Sequence, residues 1–405
     1  MNVTVIGQGY VGLPIAIFAA EAGYTVGGFD IDLDKIKQLK NSSSDSPEVT
    51  SKKLIDLQLQ SKLRFSANIF DHKASTIFVI AVPTPLKEGF TPDLSYLKKA
   101  CELLAKVVKS GDLVVNESTS YVGTLRNFIK PIIDELSGLS DINYAVAPER
   151  IDPGNKVWSV KNTPRNIAGL TDQATRAAVA FYTSFCDSIN VVVKPEVAEA
   201  AKLFENTFRH VNIALVNEFS EIANKFGFSA HEVIIASATK PFGFLPFFPS
   251  IGVGGHCIPV DPSYLAFSAE QVGVDSKFIN LANKINISRP KEVADRIRIH
   301  LGGALKGKRI QIAGITYKPN VSDLRESPAL ELIKELRTLG AEVLWHDPHI
   351  QAFSGEYSQP LVTSIDLGLI VIPHNAIDFT IWKNSNTRVL DLSANATNYG
   401  WPKLL

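Results

Sequence analysis

The feature that most constrains the fold is a glycine-rich turn between a short apolar strand and a helix of small and apolar residues. The strand covers Val3–Ile6, the turn reads Gly-Gln-Gly-Tyr-Val-Gly over 7–12, and the helix runs to about Ala22. A second predicted strand, Tyr24–Phe29, ends at Asp30. Strand, glycine turn, helix and an acidic residue about twenty positions further on form the pattern of a dinucleotide-binding βαβ unit.

The glycines of this turn have separate tasks. They permit the tight turn, allow a pyrophosphate to approach the helix N-terminus closely, and let the helix pack closely against the sheet. The Asp30 carboxylate would accept hydrogen bonds from the adenosine ribose hydroxyls and would repel a phosphate there. The sequence therefore predicts NAD rather than NADP as the cofactor.

Polar residues follow three further predicted strands. The strands and the residues after them are Thr76–Val82 with Pro83-Thr84-Pro85, Leu113–Asn116 with Glu117-Ser118-Thr119, and Ile142–Ala147 with Pro148-Glu149-Arg150. Each segment by itself could be an ordinary polar loop. Parallel strands bind ligands at their carboxyl ends, so three such segments at the edge that carries the dinucleotide turn favour an active site.

The middle of the chain is predicted to be helical. Pro195–Phe226 contains no strong helix breaker, and its apolar residues are spread around most of the helical circumference. An incompletely covered helix of this kind predicts a homodimer or higher homo-oligomer. Lys202, Asn206 and Arg209 share one face of the helix. That face is either a solvated stripe or part of a site.

One cysteine lies in a second glycine-rich turn, Gly252–Asp261, which reads Gly-Val-Gly-Gly-His-Cys-Ile-Pro-Val-Asp. Bare amide groups in such a turn can lower the pKa of a thiol and stabilise developing negative charge. The alternative is a buried, inert cysteine in a tight turn. Both interpretations of Cys257 remain open at this point.

A second α/β segment begins near Leu305. Its predicted elements are a strand at Lys308–Gly314, a helix at Pro328–Leu339 capped by Ser327, and strands at Glu342–His346, Leu367–Ile372 and Arg388–Leu392. The predicted fold class is therefore α/β, with two doubly wound, Rossmann-like parallel-sheet domains joined by a helical middle domain that contains a long central helix. We expect a cofactor domain at 1–194, a helical domain at 195–300 that carries the Cys257 turn, and a second sheet domain at 301–405.

Composition excludes several classes of partner. Lys and Arg together number 41, and so do Asp and Glu, so no net field attracts nucleic acid or an anionic membrane. The three cysteines, at 101, 186 and 257, have neither disulfide nor zinc-ligand spacing, and no metal is expected. A reducing, cytoplasmic location is expected, because the N-terminus opens directly into a strand and no apolar run has membrane-spanning length.

Together these motifs resemble the NAD-dependent nucleotide-sugar 6-dehydrogenases, the family that includes the UDP-glucose and GDP-mannose dehydrogenases. The resemblance covers nearly the whole chain. The motifs that carry it are Gly7–Gly12 with Asp30, Val82-Pro83-Thr84-Pro85, Glu117-Ser118-Thr119, Pro148-Glu149-Arg150, Lys202 with Asn206, the Gly-Gly-x-Cys turn with Asp261, and Tyr317-Lys318 through Asp323-x-Arg325-Glu326-Ser327.

Three further segments, 151–155, 208–212 and 240–244, are most similar to the branch that oxidises UDP-N-acetylglucosamine and its relatives to uronic acids. The resemblance thus implies a UDP-N-acetylhexosamine substrate, with UDP-N-acetylmannosamine and UDP-glucose as alternatives, and a role in polysaccharide biosynthesis. The chain differs from many relatives after Asp391, where it has Leu392-Ser393-Ala394-Asn395 and they carry an arginine.

The resemblance also implies a set of site residues. The catalytic set is Cys257, Lys202, Asn206, Asp261, Glu149 and Thr119. The implied NAD contacts are Gly7, Gly9, Tyr10, Val11, Gly12, Asp30, Lys35, Thr84, Ser118, Thr119 and Arg325. The implied contacts to the nucleotide sugar are Glu149, Arg150, Lys202, Asn206, Arg209, Lys240, Phe247, Phe248, Ser250, Gly255, Tyr317 and Lys318.

Two other functions fit parts of the same sequence. A 3-hydroxyacid or phosphogluconate type of dehydrogenase also couples a dinucleotide domain to helices, but it removes one hydride and needs no cysteine. A dinucleotide-binding sensor or scaffold would have no turnover, and the Cys257 turn would then be structural. The number of NADH molecules formed per substrate separates the first alternative, and thiol reactivity with and without substrate separates the second.

Overall fold

The structure is a computed structural model that describes residues 2–44, 49–151, 155, 157–255, 258–394 and 400–405. It contains two compact units. The first comprises Met1–Glu205 with Ser263–Gly273, and the second comprises Asn206–Pro262 with Val274–Leu405. Each unit contains a parallel or mostly parallel sheet with helices, and long helices occupy the middle of the chain. The predicted fold class is confirmed.

The first unit contains an eight-stranded sheet. Its strands are β1 (Asn2–Ile6), β2 (Thr25–Phe29), β3 (Leu63–Ser66), β4 (Ile77–Ile80), β5 (Leu113–Asn116), β6 (Asn143–Val146), β7 (Arg165–Gly169) and β8 (Ile189–Val191). The strand order is β3-β2-β1-β4-β5-β6-β7-β8, and every pair is parallel except β6–β7. The order changes direction between β1 and β4, which is where open α/β sheets bind ligands.

Helices cover both faces of this sheet. The helices of the described chain are α1 (Gly12–Glu21), α2 (Leu33–Lys40), α3 (Ser51–Leu59), α4 (Ser95–Leu104), α5 (Lys130–Ser137), α6 (Asp172–Thr183), α7 (Pro195–Phe226), α8 (Ala230–Ala238), α9 (Asp261–Glu270), α10 (Lys277–His300), α11 (Pro328–Thr338) and α12 (Thr380–Lys383). In β1, Val5 belongs to the core cluster that includes α1, and Ile6 belongs to the cluster that includes α4. Both faces of the sheet are therefore buried at β1, as the run of apolar residues in this strand requires.

The second unit contains a four-stranded parallel sheet in the order β10-β9-β13-β14, and a short hairpin of β11 and β12. The strands are β9 (Arg309–Ala313), β10 (Glu342–His346), β11 (Ala352–Phe353), β12 (Glu356–Tyr357), β13 (Leu367–Ile370) and β14 (Val389–Asp391). The predicted cap of α11 is confirmed, because the Ser327 side chain accepts a hydrogen bond from the backbone N–H of Ala329.

The long helix α7 has the bounds that its sequence predicts, Pro195–Phe226. Its residues up to Glu205 belong to the first unit, and those from Asn206 onward belong to the second. No helix in the described part of the chain is both long enough and apolar enough to cross a membrane.

Candidate active site

The glycine turn after β1 has one open position. A Cβ on Gly7, which has φ of 93°, would lie 2.4 Å from the Ala81 oxygen, and a Cβ on Gly12 would lie 1.9 Å from the Gly7 oxygen. A Cβ on Gly9 would meet no atom of the described residues within 4 Å. Gly7 and Gly12 are thus required by the fold, whereas Gly9 leaves space for a pyrophosphate at the start of α1. The turn fits a dinucleotide.

Asp30 is held beside this turn by two backbone donors. Its carboxylate accepts hydrogen bonds from the Gln8 N–H at 2.8 Å and from the Asp32 N–H at 3.0 Å. Asp32 in turn caps α2 by accepting from the N–H of Lys35 at 3.0 Å, so Lys35 lies in the first turn of that helix. The carboxylate is therefore fixed at the end of β2, where a ribose would be bound.

Tyr10 and Val11 lie between the glycines and α1. Tyr10 is exposed at the turn, and Val11 is the N-cap residue of α1. Both positions are at the helix N-terminus, which is the part of the turn nearest to a bound pyrophosphate.

The ends of β4 and β5 are joined through Ser118. The Ser118 hydroxyl accepts from the Val82 N–H at 2.9 Å and donates to the Val82 oxygen at 2.8 Å. Thr84 is buried, and its carbonyl accepts from the Tyr264 hydroxyl at 3.2 Å. Thr119 is half-buried directly after Ser118. In this structure, the hydrogen bonds of the Ser118 hydroxyl therefore connect two strand ends at the ligand edge.

Glu149 and Arg150 follow β6 and differ in environment. Glu149 is buried and accepts a hydrogen bond from the Ile151 N–H. Arg150 is half-buried, forms an ion pair with Glu205 at 2.7 Å and donates to the Pro164 carbonyl at 2.8 Å. Arg150 is thus bound to groups of the first unit, and a contact to substrate would compete with them.

The predicted polar face of α7 is not uniformly solvated. Lys202 is only 7 % exposed, which does not fit a solvated stripe. Asn206, four residues on, is half-buried, and Arg209 is exposed. A buried ammonium needs polar partners, so Lys202 differs in environment from Arg209, which lies at the surface.

Asn206 and Asp261 meet in the second unit. The Asn206 side-chain amide donates to the Asp261 carboxylate at 2.5 Å, and Asp261 is 2 % exposed at the first position of α9. The bond joins the long helix to the end of the cysteine-containing turn, 55 residues further along the chain. His256 and Cys257 lie outside the described residues.

The described glycines of that turn pack against the loop after β9. A Cβ on Gly254 would lie 2.8 Å from the Glu326 oxygen, and one on Gly255 would lie 2.9 Å from the Tyr317 ring. The Gly255 N–H also donates to the Arg325 carbonyl at 3.1 Å. Because side chains at these positions would collide with this loop, the turn depends on glycine for its close packing.

The Arg325 and Lys318 side chains lie on the same loop. The Arg325 guanidinium donates to both carboxylate oxygens of Asp323 and is about half exposed. Lys318 is half-buried, and its carbonyl accepts from the Thr316 hydroxyl at 3.0 Å. The loop is thus internally hydrogen-bonded around the two predicted ligand residues.

The aromatic segment before the turn is partly ordered by packing. The Phe247 ring contacts Phe208 edge to face at 5.8 Å, and the Phe248 ring lies 4.3 Å from His231. Lys240 is exposed, with its ammonium 5.0 Å from the centre of the Phe242 ring.

Ser250 connects this segment to the interior. Its N–H donates to the Asn217 side chain at 2.9 Å, and its hydroxyl donates to the Gly252 carbonyl at 2.8 Å. The Asn217 amide donates in turn to Asn286 at 3.2 Å. The hydrogen bonds of Ser250 therefore hold the backbone at the start of the turn in its observed conformation.

A buried histidine was missed by the sequence interpretation. His374, which follows β13, lies 3.0 Å from the Asp347 carboxylate, and its Nδ1 accepts from the Asn320 N–H at 2.9 Å. Asp347 also accepts from the Ile315 N–H at 2.8 Å. The pair therefore fixes the loop that carries Tyr317 and Lys318. The position of Asp347 at a strand end was the available signal, but no motif marks His374.

A cation lies beside Asp391 although the arginine of many relatives is missing. The Lys403 ammonium is 3.0 Å from the Asp391 carboxylate and 2.5 Å from the Ser393 carbonyl. The segment that ends the chain supplies this lysine, because residue 403 pairs with residue 391 as a parallel bridge beside β14.

Comparison with known proteins adds family matches over most of the chain. The models of the UDP-glucose/GDP-mannose dehydrogenase family match with their NAD binding domain at residues 1–186, their central domain at 196–288 and their UDP binding domain at 311–392.

Named relatives are similar over nearly the full length. UDP-N-acetyl-D-glucosamine 6-dehydrogenase of Pseudomonas aeruginosa is 37% identical over 370 residues, which cover 87% of this chain and 84% of that protein. Protein CapL of Staphylococcus aureus is 36% identical over 389 residues, 92% of this chain and 90% of that protein. The structure of a UDP-D-ManNAc dehydrogenase from Pyrococcus horikoshii matches with a TM-score of 0.89 at 32% identity, covering 100% of this chain and 99% of that one.

Proposed function

Because this chain belongs to the UDP-glucose/GDP-mannose dehydrogenase family, we propose that it oxidises the 6-hydroxyl of a UDP-N-acetylhexosamine to the uronic acid. The enzyme is an NAD-dependent nucleotide-sugar dehydrogenase that acts on a UDP-sugar. UDP-N-acetylglucosamine is the proposed substrate. Family membership supports this activity over the single-hydride hydroxyacid dehydrogenase and over the sensor without turnover.

The Asn206–Asp261 hydrogen bond is the main structural observation in support of the proposed chemistry. It joins a polar residue of α7 to a carboxylate four residues after Cys257 in the sequence. An amide that donates to a buried carboxylate keeps its own oxygen and remaining N–H in a fixed orientation. This arrangement supports a site in which α7 and the cysteine turn act on one substrate.

Conversion of a primary alcohol to a carboxylate removes four electrons. NAD, when bound against Gly9 and Asp30, supplies the hydride acceptor, and two molecules are needed in turn. The Lys202 ammonium and the Asn206 amide would stabilise negative charge on the oxygen of the reacting carbon, an effect on the order of 3 kcal/mol for one well-placed donor.

Cys257 supplies the covalent step in this proposal. Its thiolate would attack the aldehyde carbon and form a C–S bond while the C=O π pair moves onto the oxygen, which gives a thiohemiacetal. Loss of the hydrogen on that carbon as hydride to the second NAD would re-form the C=O bond and give a thioester. Water would then add to the thioester carbon, the C–S bond would break, and the thiolate would leave. Glu149 would take the proton of that water, and Asp261 would assist proton transfer.

The choice of sugar rests on segment similarity and on one relative. The segments 208–212 and 240–244 are similar to the N-acetylglucosamine branch, and the Pseudomonas aeruginosa relative carries that substrate in its name. UDP-N-acetylmannosamine is the second candidate, because the Pyrococcus horikoshii structure with a TM-score of 0.89 is named for it. Cytoplasmic location and a role in polysaccharide biosynthesis stay predictions.

The test is a substrate screen with the purified protein and NAD. UDP-N-acetylglucosamine, UDP-N-acetylmannosamine, UDP-glucose and GDP-mannose are compared by NADH formation and by mass spectrometry of the sugar product. We expect the highest kcat/KM with UDP-N-acetylglucosamine. A preference of tenfold or more for another sugar would contradict the substrate assignment, and the absence of NADH with every sugar would contradict the proposed activity.

We also propose that α7 forms part of a homodimer interface. Exposed apolar side chains recur at intervals of seven and four residues along the helix, at Phe208, Leu215, Ile222 and Phe226. A stripe of this kind is costly in water. Light scattering after size-exclusion chromatography should give twice the mass of 44.2 kDa, or a larger multiple, and a monomer at micromolar concentration would contradict the proposal.

A further inference from the structure

A buried charged cluster lies behind the ligand edge of the first sheet. Glu117 directly follows β5, Arg165 begins β7, and Tyr182 lies on α6. The Arg165 guanidinium donates to one Glu117 carboxylate oxygen at 2.6 Å, and the Tyr182 hydroxyl donates to the other. The guanidinium also lies 4.9 Å from the centre of the Tyr182 ring. Three distant segments thus meet through one carboxylate.

The cluster is almost completely withdrawn from solvent. The side chains of Arg165 and Glu117 are 4% and 0% exposed. Burial raises the pKa of Glu117, and the Arg165 charge opposes this effect. A buried ion pair contributes little net stability compared with apolar residues of similar volume, because desolvation offsets most of the attraction. Its position next to the ligand edge suggests another contribution.

The cluster is bonded to the segment that carries Glu149. Arg165 donates from Nη1 to the Ala147 carbonyl at 3.1 Å, and the Glu117 carbonyl accepts from the Glu149 N–H at 3.5 Å. A second bond runs from the segment of Glu149 to the segment of Arg165, because Arg150 donates to the Pro164 carbonyl at 2.8 Å. Two arginines therefore connect the segment 147–150 to the segment 164–165, one bond on each side of Glu149.

We propose that Arg165 and Glu117 are positioning residues, which fix the Glu149 carboxylate for its part in the reaction through the backbone of residues 147–149. Tyr182 orients the Glu117 carboxylate. The inference rests on the role of Glu149 in the proposed function, because it states which groups hold that carboxylate in place. Misplacement of a catalytic group by about 1 Å can reduce turnover about 100-fold, so a fixed backbone has a direct kinetic effect.

The main test replaces the whole cluster by apolar residues of similar size. Glu117→Leu/Arg165→Met/Tyr182→Phe removes both charges of the ion pair together with the hydroxyl, so neither partner of the pair is left buried without the other. We expect this variant to keep an unfolding midpoint near or above that of the wild type. Its kcat should fall roughly tenfold or more, while the KM values for NAD and for the UDP-sugar should stay within about threefold.

The matched control is Tyr144→Phe. Tyr144 is buried in β6, and its hydroxyl donates to Asp134 at 2.6 Å, so its removal also deletes a hydrogen bond between a buried tyrosine and a half-buried carboxylate. Tyr182→Phe alone keeps the ion pair and decides the question if the triple variant does not fold. We expect kcat to fall a fewfold in Tyr182→Phe and to stay within twofold in Tyr144→Phe, and Arg165→Lys should retain more activity than Arg165→Met.

Amide hydrogen exchange of residues 145–151 gives a readout that does not need turnover. Exchange should accelerate in the triple variant and in Tyr182→Phe, and it should be unchanged in Tyr144→Phe. If the triple variant shows unchanged exchange and a kcat within twofold of the wild type, the proposal is overturned. A rise of both KM values in parallel with a lower unfolding midpoint would also overturn it, because that pattern indicates general loosening.

Failure of the proposed function is distinguishable from failure of this inference. If the wild type forms no NADH with any UDP-sugar, the proposed activity is wrong, and the exchange comparison still decides whether the cluster fixes residues 147–149. If the wild type is active and both the exchange and the kcat of the triple variant match it, only the positioning inference is wrong.

Discussion

The first test compares alanine substitutions at Gly9 and Gly12. A methyl group at Gly12 would lie 1.9 Å from the Gly7 oxygen and 3.2 Å from the Ala81 Cβ. Ordinary contact needs at least about 3.4 Å, so α1 would have to move away from the turn by more than an ångström. Overpacking of this kind costs about 1–3 kcal/mol of unfolding free energy.

The same substitution at Gly9 has a different expected result. No described atom lies within 4 Å of the new methyl group, and the φ of Gly9 is outside the left-handed region. Gly9→Ala should therefore leave the unfolding free energy unchanged or raise it by about 0.4–1 kcal/mol, through the lower entropy of the unfolded chain. The methyl group would, however, occupy the space where a pyrophosphate approaches the turn, and we expect the Kd for NAD to rise at least tenfold.

The assays are denaturant unfolding without ligand and calorimetric titration with NAD. Gly12→Ala should lose stability, whereas Gly9→Ala should lose NAD affinity and keep its stability. A wild-type Kd in Gly9→Ala would show that the open position is not the pyrophosphate site. An equal loss of stability in both variants would refute the steric reasoning.

Three further predictions concern single side chains. Asp30→Ser should reduce the preference of kcat/KM for NAD over NADP about tenfold, and equal efficiency with both cofactors in the wild type would contradict the role of Asp30. Lys202→Ala should lower kcat much more than it raises the KM for the sugar, and a raised KM alone would show that Lys202 only binds substrate. Burial lowers the pKa of His210 from 6.5 to about 4, so below pH 6.5 the unfolded chain takes up a proton that the folded chain does not. The unfolding free energy should then fall by about 3 kcal/mol more in the wild type than in His210→Gln between pH 6.5 and pH 4, and equal slopes in the two proteins would contradict this.

The sequence was sufficient for elements with a strong local signal. The strands Leu113–Asn116 and Glu342–His346 and the helix Pro195–Phe226 have the predicted bounds. Buried parallel strands have continuous apolar runs, and a long helix without breakers has few alternatives. By contrast, β3 at Leu63–Ser66 was missed, because four residues that alternate between buried and exposed give a weak signal.

Residues that interact over long separations could not be predicted. Arg165 and Glu117 are 48 positions apart, and nothing local to either distinguishes a buried ion pair from two surface charges. Pro290 lies inside α10. Proline has no backbone N–H and usually ends or kinks a helix, so the local sequence does not indicate that this helix continues. The site motifs were found because glycine turns and strand-end polar clusters are local, whereas the partners that orient them belong to the tertiary fold.

The proposed four-electron oxidation passes through Cys257, and the number of NADH molecules formed for each sugar is its sharpest test. Purified wild type and Cys257→Ser are each given limiting UDP-N-acetylglucosamine and excess NAD, and NADH and uronic acid are counted together. A serine hydroxyl has a much higher pKa than a thiol, so covalent trapping should fail in the variant. We expect two NADH for each uronic acid in the wild type and essentially no uronic acid in Cys257→Ser. One NADH for each sugar in the wild type, or two at a near-native rate in Cys257→Ser, would contradict this mechanism.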